Sequence, residues 1–281
     1  MTSRRDFLLA AATTAVGQSS AVALSGEKPT DHATSSSDKR GKRQIFAMDS
    51  GFLEIEPWAP PVLQNHLLSL TGKSEPRICL LATASGDSPA IVEMFYRVMA
   101  NHPCRARHLN MFAPCTSDFP GFLTDHDVIY VAGGATKNLM SLWRDWKLDE
   151  ALRVAWDAGV ILSGESAGMV CWFESCITDS LPERLLPLGC LGLLKGSACP
   201  HYDTRPDVPP QVNRQTVFRS HIANGDIPSP GIATESRTAL HYIEDQLVDV
   251  VSDKKGGHAY KVERVPEGYR ETPIDARYIG A

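Results

Sequence analysis

The sequence has no excess of basic residues. Its 28 Lys and Arg are outnumbered by 33 Asp and Glu, which gives a formal net charge of −5. The basic cluster of Lys39, Arg40, Lys42 and Arg43 lies in a polar stretch that we interpret as solvated and flexible. Because a nucleic-acid-binding protein usually carries a positively charged face, we expect no nucleic-acid partner.

Paired cysteine motifs are also missing. No two of the seven cysteines have the C-x-x-C spacing of a zinc or redox site, and the odd, scattered set does not fit a disulfide framework. Most of them lie in apolar runs, where a buried thiol behaves as a small hydrophobic residue. The cysteines are Cys79, Cys104, Cys115, Cys171, Cys176, Cys190 and Cys199.

Long apolar runs are scarce, and the one that stands out is at the N-terminus. Residues 1–24 start with the basic pair Arg4 and Arg5 and continue into an Ala-, Thr- and Val-rich stretch too short for a membrane span. The serine before the pair and the Phe-Leu after it complete a twin-arginine pattern. We predict a signal peptide over residues 1–25, export of the folded protein to the periplasm or outside, and no stable membrane span after processing.

The rest of the chain divides into three parts. Residues 26–43 are polar without an apolar period, which predicts a disordered linker. Residues 44–263 form the predicted folded domain, and 264–281 a polar C-terminal tail. In the domain, short apolar runs alternate with amphipathic segments, which predicts an α/β fold with a parallel sheet covered on both faces. The expected buried strands are 45–48, 78–82, 128–132 and 159–162, the expected helices 89–100, 136–146 and 148–158, and the expected antiparallel edge strands 238–243, 247–252 and 258–263.

A candidate nucleophile lies in the run 164–168, which reads Gly-Glu-Ser-Ala-Gly. This matches the G-x-S-x-G elbow, in which a sharp strand-to-helix turn exposes a serine at the carboxyl edge of a sheet. An apolar strand-like run precedes it and a helix-like segment, 167–174, follows. The helix N-terminus would place amide dipoles where negative charge develops near Ser166. The alternative is a small-residue turn that binds nothing or holds a phosphate.

A serine nucleophile needs a base and an acid that orients it. His201 is the candidate base, because it follows the strand-like run 191–198 and parallel strands bring their carboxyl ends to one edge of a sheet. Glu235 closes another short strand and is the candidate acid. Asp179 is the rival acid, and either carboxylate could instead be a helix cap or a surface charge.

Five short motifs occur in order along the chain: 130–139 (YVAGGATKNL), 164–168 (GESAG), 171–174 (CWFE), 178–180 (TDS) and 200–203 (PHYD). Together they resemble the peptidase E (aspartyl dipeptidase) family, which also contains the cyanophycinases. The resemblance extends over roughly residues 44–263. It implies a flavodoxin-like fold related to class I glutamine amidotransferases, a three-layer sandwich with a mostly parallel sheet and antiparallel edge strands.

The same resemblance implies the chemistry of the site. It implies a triad of Ser166, His201 and Glu235, with Asp179 as the alternative acid or as support. It implies cleavage after an N-terminal aspartate in small peptides, without a metal or cofactor. The expected oxyanion hole consists of the Gly134 loop and the amide of Ala167, and the residues expected to contact substrate are Gly133, Ala135, Thr136 and Glu165.

The sequence departs from the family in three ways. Ala135 stands where the family usually has Asn, which would change specificity while keeping the backbone donors. Glu165 stands where a small or apolar residue is usual, and it could bind a substrate's amino group, act on His201 through its charge, or face solvent. The third departure is the predicted export signal, because peptidase E is generally cytoplasmic.

Other functions stay open from the sequence alone. A cyanophycinase-like β-aspartyl peptidase is one alternative. An α/β-hydrolase esterase would place its histidine after the acid, at His258 or His241. A non-catalytic amidotransferase-like domain that binds a small ligand is the third alternative, and the oligomeric state, monomer or homodimer, is undetermined.

Overall fold

The structure, a computed structural model, describes residues 41–51, 61–181, 184–204 and 213–280. The predicted signal peptide and most of the predicted linker therefore lie outside the described residues. Arg43, at the end of that linker, is held on the domain: its backbone amide donates to Glu244 at 3.2 Å and its guanidinium lies 4.5 Å from the centre of the Trp156 ring. The described residues just before the first strand thus pack on the domain.

Helices and strands alternate in the first part of the domain, and strands dominate the last part. The described strands are β1 (Gln44–Met48), β2 (Arg77–Leu81), β3 (Arg105–Leu109), β4 (Val128–Val131), β5 (Ile161–Glu165), β6 (Phe173–Leu181), β7 (Arg184–Gly189), β8 (Leu194–Cys199), β9 (Gly231–Thr234), β10 (Thr238–Ile243), β11 (Gln246–Ser252), β12 (His258–Val265), β13 (Gly268–Asp275) and β14 (Arg277–Tyr278). The described helices are α1 (Val62–Ser69), α2 (Pro89–Met99), α3 (Phe119–Thr124), α4 (Thr136–Asp145), α5 (Leu148–Asp157), α6 (Ala167–Val170) and α7 (Arg214–Asn224). Within these described parts, no helix combines the length and the apolar character that crossing a membrane requires.

The first sheet has eight strands in the order β14-β11-β10-β1-β5-β4-β2-β3. The five strands β1 to β5 pair with one another in parallel. At the β1 edge of this group, β10 runs antiparallel to β1, and β11 runs antiparallel to β10. This confirms the predicted parallel sheet with antiparallel strands at one edge.

The parallel strands are apolar on both sides because both faces of the sheet are covered. In β1, Ile45 and Ala47 belong to the core cluster that contains Trp143 of α4, whereas Phe46 and Met48 belong to the one that contains Phe95 of α2. These four side chains of β1 are fully buried. The three-layer sandwich expected from the sequence is confirmed.

A second sheet, in the order β13-β12-β9-β8-β6-β7, was not expected from the sequence. The helix expected over 167–174 ends at Val170, and β6 starts at Phe173. The residues assigned to a C-terminal tail, 264–281, contain the end of β12, all of β13 and β14. β13 pairs with β12 along its whole length, so these residues belong to the fold.

Close packing of α6 on β4 depends on Gly168. A Cβ at this position would lie 2.1 Å from the carbonyl oxygen of Val131, far inside contact distance. We expect Gly168→Ala to lower the free energy of unfolding by about 3 kcal/mol, the upper end of the usual range for overpacking, because the backbone of a central strand must move. The measurement is the urea unfolding midpoint.

Gly189→Ala is the matched control for this substitution, because a Cβ at Gly189 meets nothing within 4 Å. Its midpoint should stay close to that of the unsubstituted protein. Equal midpoints for the two variants would contradict the packing of α6 described here.

Candidate active site

Ser166 occupies a strained turn between β5 and α6. Its backbone has φ 53° and ψ −107°, and its amide donates to the carbonyls of Met48 and Asp49, both at 3.2 Å. A non-glycine residue with positive φ costs energy and persists only where the surroundings enforce it. The strand–turn–helix geometry expected for a nucleophile elbow is therefore present at the carboxyl edge of the parallel sheet.

His201 meets Ser166 from the second sheet. It lies just past the end of β8, and its Nε2 is 2.9 Å from the Oγ of Ser166. Its backbone φ is also positive, at 55°. The structure thus brings together the two residues that the sequence pointed to, and the distance is that of a direct hydrogen bond.

A buried carboxylate lies on the other side of the His201 ring. Asp49, immediately after β1, has no exposed surface, and its Oδ2 is 3.1 Å from His201 Nδ1. Its Oδ1 accepts hydrogen bonds from the His201 amide at 2.6 Å and from the Thr234 hydroxyl at 2.9 Å. The Ser50 hydroxyl donates to Oδ2 at 3.0 Å. One carboxylate therefore orients both the ring and the backbone of His201.

The acid expected from the sequence, Glu235, lies elsewhere, and this corrects the expected Ser-His-Glu set. Its carboxylate accepts hydrogen bonds from the Tyr260 hydroxyl at 2.7 Å and from the His258 amide at 3.2 Å, both on β12. The reason is strand alternation: Thr234 points toward Asp49, so the next residue along the chain points to the opposite face.

The rival acid, Asp179, is paired with Arg214. Its side chain is 65% exposed, while that of Arg214 is 10% exposed. Both charges act on the buried thiol of Cys199, whose pKa is raised mainly by burial and is further shifted by Arg214 and Asp179 in opposite directions. Arg214 is the first residue of α7, and Phe218 of the same helix packs on Tyr202, next to His201, with ring centroids 6.3 Å apart.

Sequence reasoning missed Asp49, although a signal was available. Asp49 directly follows a buried apolar strand, in the run Met-Asp-Ser-Gly at 48–51. Carboxyl ends of neighbouring parallel strands share one edge, and β1 pairs with β5, the strand that leads to Ser166. What the sequence could not give is this adjacency of β1 and β5 in the sheet.

Glu165 is buried at 2% exposure, which excludes the alternative that it faces solvent. A Cβ at Gly51 would lie 1.9 Å from Oε2 of Glu165 and 2.1 Å from the Tyr130 hydroxyl. The chain after Asp49 therefore packs directly on this carboxylate.

The glycine loop after β4 passes beside the serine. A Cβ at Gly133 would be 3.3 Å from Cβ of Ser166. Gly134 has φ 137°, and a Cβ there would lie 2.4 Å from the Ala84 carbonyl oxygen, so this position requires glycine. The Ala135 amide donates to the same carbonyl at 2.8 Å, and Thr136 starts α4. The expected oxyanion donor Ala167 is the first residue of α6, directly after the serine.

The loop that carries His201 is fastened by its next residue. Tyr202 is buried, and its hydroxyl donates to Glu271 on β13 at 2.5 Å. Arg219 of α7 forms two further hydrogen bonds to Glu271, at 2.8 and 2.5 Å. Burial and the Glu271 carboxylate raise the pKa of Tyr202, so the phenol stays a proton donor. Residues that the sequence analysis assigned to a C-terminal tail therefore help to hold His201, the candidate base, in position.

The histidines required by the esterase alternative have other neighbours. His258 lies 3.6 Å from Glu235 and 3.3 Å from Asp275. His241 is buried in β10 and contacts Gln44 at 2.9 Å. The described residues contain no group of three or more His, Cys, Asp or Glu suited to a metal ion.

Comparisons with known proteins identify the family and agree with the fold. The model of peptidase family S51 matches residues 45–250. The uncharacterized peptidase YgaJ of Bacillus subtilis (strain 168) is 41% identical over 238 residues, which cover 85% of this chain and 100% of that protein.

Two solved structures share the fold at low sequence identity. A peptidase from an acI-B1 Actinobacterium superimposes with a TM-score of 0.61 at 18% identity, covering 84% of this chain and 95% of that one. A candidate peptidase E from Listeria monocytogenes gives 0.55 at 16% identity, covering 75% and 99%. The resemblance to the peptidase E family is confirmed, and the chain belongs to peptidase family S51, a family of serine-type peptidases.

Proposed function

We propose that the protein hydrolyses small peptides with Ser166 as nucleophile, His201 as base and Asp49 as the orienting acid. The observation that carries the proposal is the continuous chain of contacts from Ser166 Oγ through both ring nitrogens of His201 to Asp49, at 2.9 and 3.1 Å. These are the distances at which a base can accept a hydroxyl proton and be held in one tautomer.

In the proposed reaction, His201 Nε2 takes the proton of Ser166 as Oγ attacks the peptide carbonyl. Asp49 accepts a hydrogen bond from Nδ1–H and stabilises the imidazolium that forms. His201 then protonates the leaving amine, and an acyl group stays on Ser166. Water, activated by the same histidine, releases the acyl group as a carboxylic acid and restores the enzyme.

The developing oxyanion needs donors near Ser166. We assign this role to backbone amides of the Gly133–Gly134 loop and of Ala167. The proximity of Gly133 to the serine Cβ and the place of Ala167 at the first position of α6 support the assignment. Backbone donors held by packing need no reorganisation when charge develops, which is why they stabilise the transition state effectively.

If Asp49 is the orienting acid, removing its charge should lower kcat far more than removing the charge of Glu235. Asp49→Asn should lower kcat by about 10³–10⁴-fold, because an amide at this position no longer stabilises the imidazolium and favours the wrong tautomer. Glu235→Gln should stay within about threefold, since Glu235 contacts β12. Steady-state kinetics on one peptide measures both variants.

Far-ultraviolet circular dichroism should show that both of these variants are folded. The reverse ranking of their rates would restore the Ser-His-Glu set that the resemblance implied.

We further propose that the substrates are dipeptides with an N-terminal aspartate. The supporting observation is Arg214, whose side chain is nine-tenths buried at the start of α7, the helix that packs on the His201 loop. Its partner Asp179 is mostly exposed, so a substrate carboxylate could displace or share that contact at small cost. A guanidinium binds a carboxylate through two parallel hydrogen bonds, which favours an acidic side chain in the acyl position.

Hydrolysis of Asp-Leu, Ala-Leu and β-Asp-Arg by the purified protein tests the reaction and the substrate class together. We expect Asp-Leu to be the preferred substrate, and Ser166→Ala to lower its hydrolysis by about 10⁵–10⁶-fold. Serine-dependent cleavage of a different peptide would keep the triad and reject the aspartyl preference. Undiminished activity of Ser166→Ala would reject the triad.

The role of Arg214 predicts a change in selectivity. Comparing Asp-Leu with its neutral isostere Asn-Leu isolates the effect of the negative charge on the substrate's N-terminal side chain. Arg214→Gln should reduce kcat/KM for Asp-Leu by about 100-fold, as expected when one partner of a buried ion pair is lost, and should leave Asn-Leu within about fivefold.

Arg105→Gln is the control for Arg214→Gln, because Arg105 is an exposed arginine of β3 paired with Glu75. Arg105→Gln should leave kcat/KM unchanged for both Asp-Leu and Asn-Leu. An equal loss for both dipeptides in Arg214→Gln would show that Arg214 supports the fold and does not recognise the substrate charge.

A further inference from the structure

Two cysteines that the proposed mechanism does not use are in contact in the second sheet. The Sγ atoms of Cys176 and Cys190 are 3.6 Å apart. Cys176 lies within β6 and pairs with Leu188 of β7, and Cys190 directly follows the last residue of β7. The two side chains therefore meet diagonally across an antiparallel pair of strands.

The two thiols differ in their access to solvent. Cys176 is fully buried, whereas Cys190 is partly exposed and lines a surface cavity of about 280 Å³. Two arginines, Arg144 and Arg153, and three acidic residues, Asp149, Glu150 and Asp157, line the same cavity. A small oxidant in this cavity can reach Cys190 first, and the buried Cys176, in contact with it, is then positioned to react next.

The remaining cysteines have other neighbours. Cys79, Cys171 and Cys199 are buried, and their thiols contact the backbone carbonyls of Leu80, Gly168 and Pro200. Cys104 contacts Met99, and Cys115 is exposed. Cys176 and Cys190 thus combine direct sulfur–sulfur contact with one accessible thiol.

We propose that Cys176 and Cys190 form an intramolecular disulfide on exposure to a low-molecular-weight disulfide such as oxidised glutathione. The Cys190 thiolate attacks one sulfur of the oxidant, and one glutathione leaves as its thiolate. Cys176 then attacks Cys190 Sγ, and its proton passes to the second glutathione, which leaves as a thiol. Two protein thiols become one disulfide, and one glutathione disulfide becomes two thiols.

The structure needs only a small adjustment for this bond. A disulfide has an S–S distance of about 2.05 Å, so the sulfurs must approach by about 1.5 Å. Cys190 lies just past a strand end, where side-chain rotation and a slight backbone shift are easier than inside β6. The bond would link β7 covalently to β6, the strand that also carries Asp179.

The test is thiol mapping of the full chain after incubation with oxidised glutathione. Free thiols are alkylated after denaturation, and the digest is analysed by mass spectrometry. We expect a peptide linking Cys176 to Cys190, a loss of two of the seven alkylatable thiols, and recovery of both with dithiothreitol. Cys176→Ser should stop at a mixed glutathione disulfide on Cys190, and Cys190→Ser should leave Cys176 unmodified.

Cys115→Ser serves as the control, because it removes the exposed thiol and should leave the linkage intact. Circular dichroism verifies that each variant is folded. Thiol mapping of the unsubstituted protein tests the proposal even if a variant does not fold. If its Cys190 carries glutathione while Cys176 remains alkylatable, or if both remain free while Cys115 is modified, the proposal is wrong.

Discussion

The arrangement at the active site depends on the buried carboxylate of Asp49. It holds the ring of His201 through Nδ1, the backbone of the same residue through its amide, and Thr234 of the neighbouring strand. Burying a charged group costs several kcal/mol unless it is fully hydrogen-bonded, and here both oxygens have donors. Asp49 ties the first sheet to the second, because β1 belongs to one and the loop after β8 to the other. Loss of this carboxylate would therefore free the base from the sheet that carries Ser166.

Backbone strain and close packing also hold Ser166 and His201 in position. Ser166 and His201 both have positive φ, and each is held from more than one side. The serine turn is enforced by close approach at Gly133 and by the hydrogen bonds of its amide, and the histidine loop is fastened through Tyr202 and Glu271. Glu271 lies beyond residues 45–250, the part matched by the family model. The C-terminal hairpin thus contributes to the geometry of a site whose chemical groups all lie upstream.

The sequence analysis predicted the parallel sheet, its main helices, the elbow and the base, because each has a local signature. Strand β1 is a run of buried apolar residues, and residues 164–168 carry the pattern of a strained turn within five positions. The second sheet was missed because β7 and β13 are largely exposed or half-exposed and each contains a proline, which weakens the local pattern of a strand. The predicted export signal of residues 1–25 stays a prediction.

The sequence by itself determined the fold class, the family and the two residues expected to exchange a proton, since apolar periodicity and motif order are properties of the chain. Only the tertiary structure decided which carboxylate completes the site. Glu235 and Asp49 both follow short strands, and no local pattern distinguishes them. Glu235 turns toward β12 because Thr234 takes the face toward His201, while the pairing of β1 with β5 sets Asp49 behind the imidazole. Such a choice depends on strand order and on the face that each side chain occupies, which exist only once the sheets have formed.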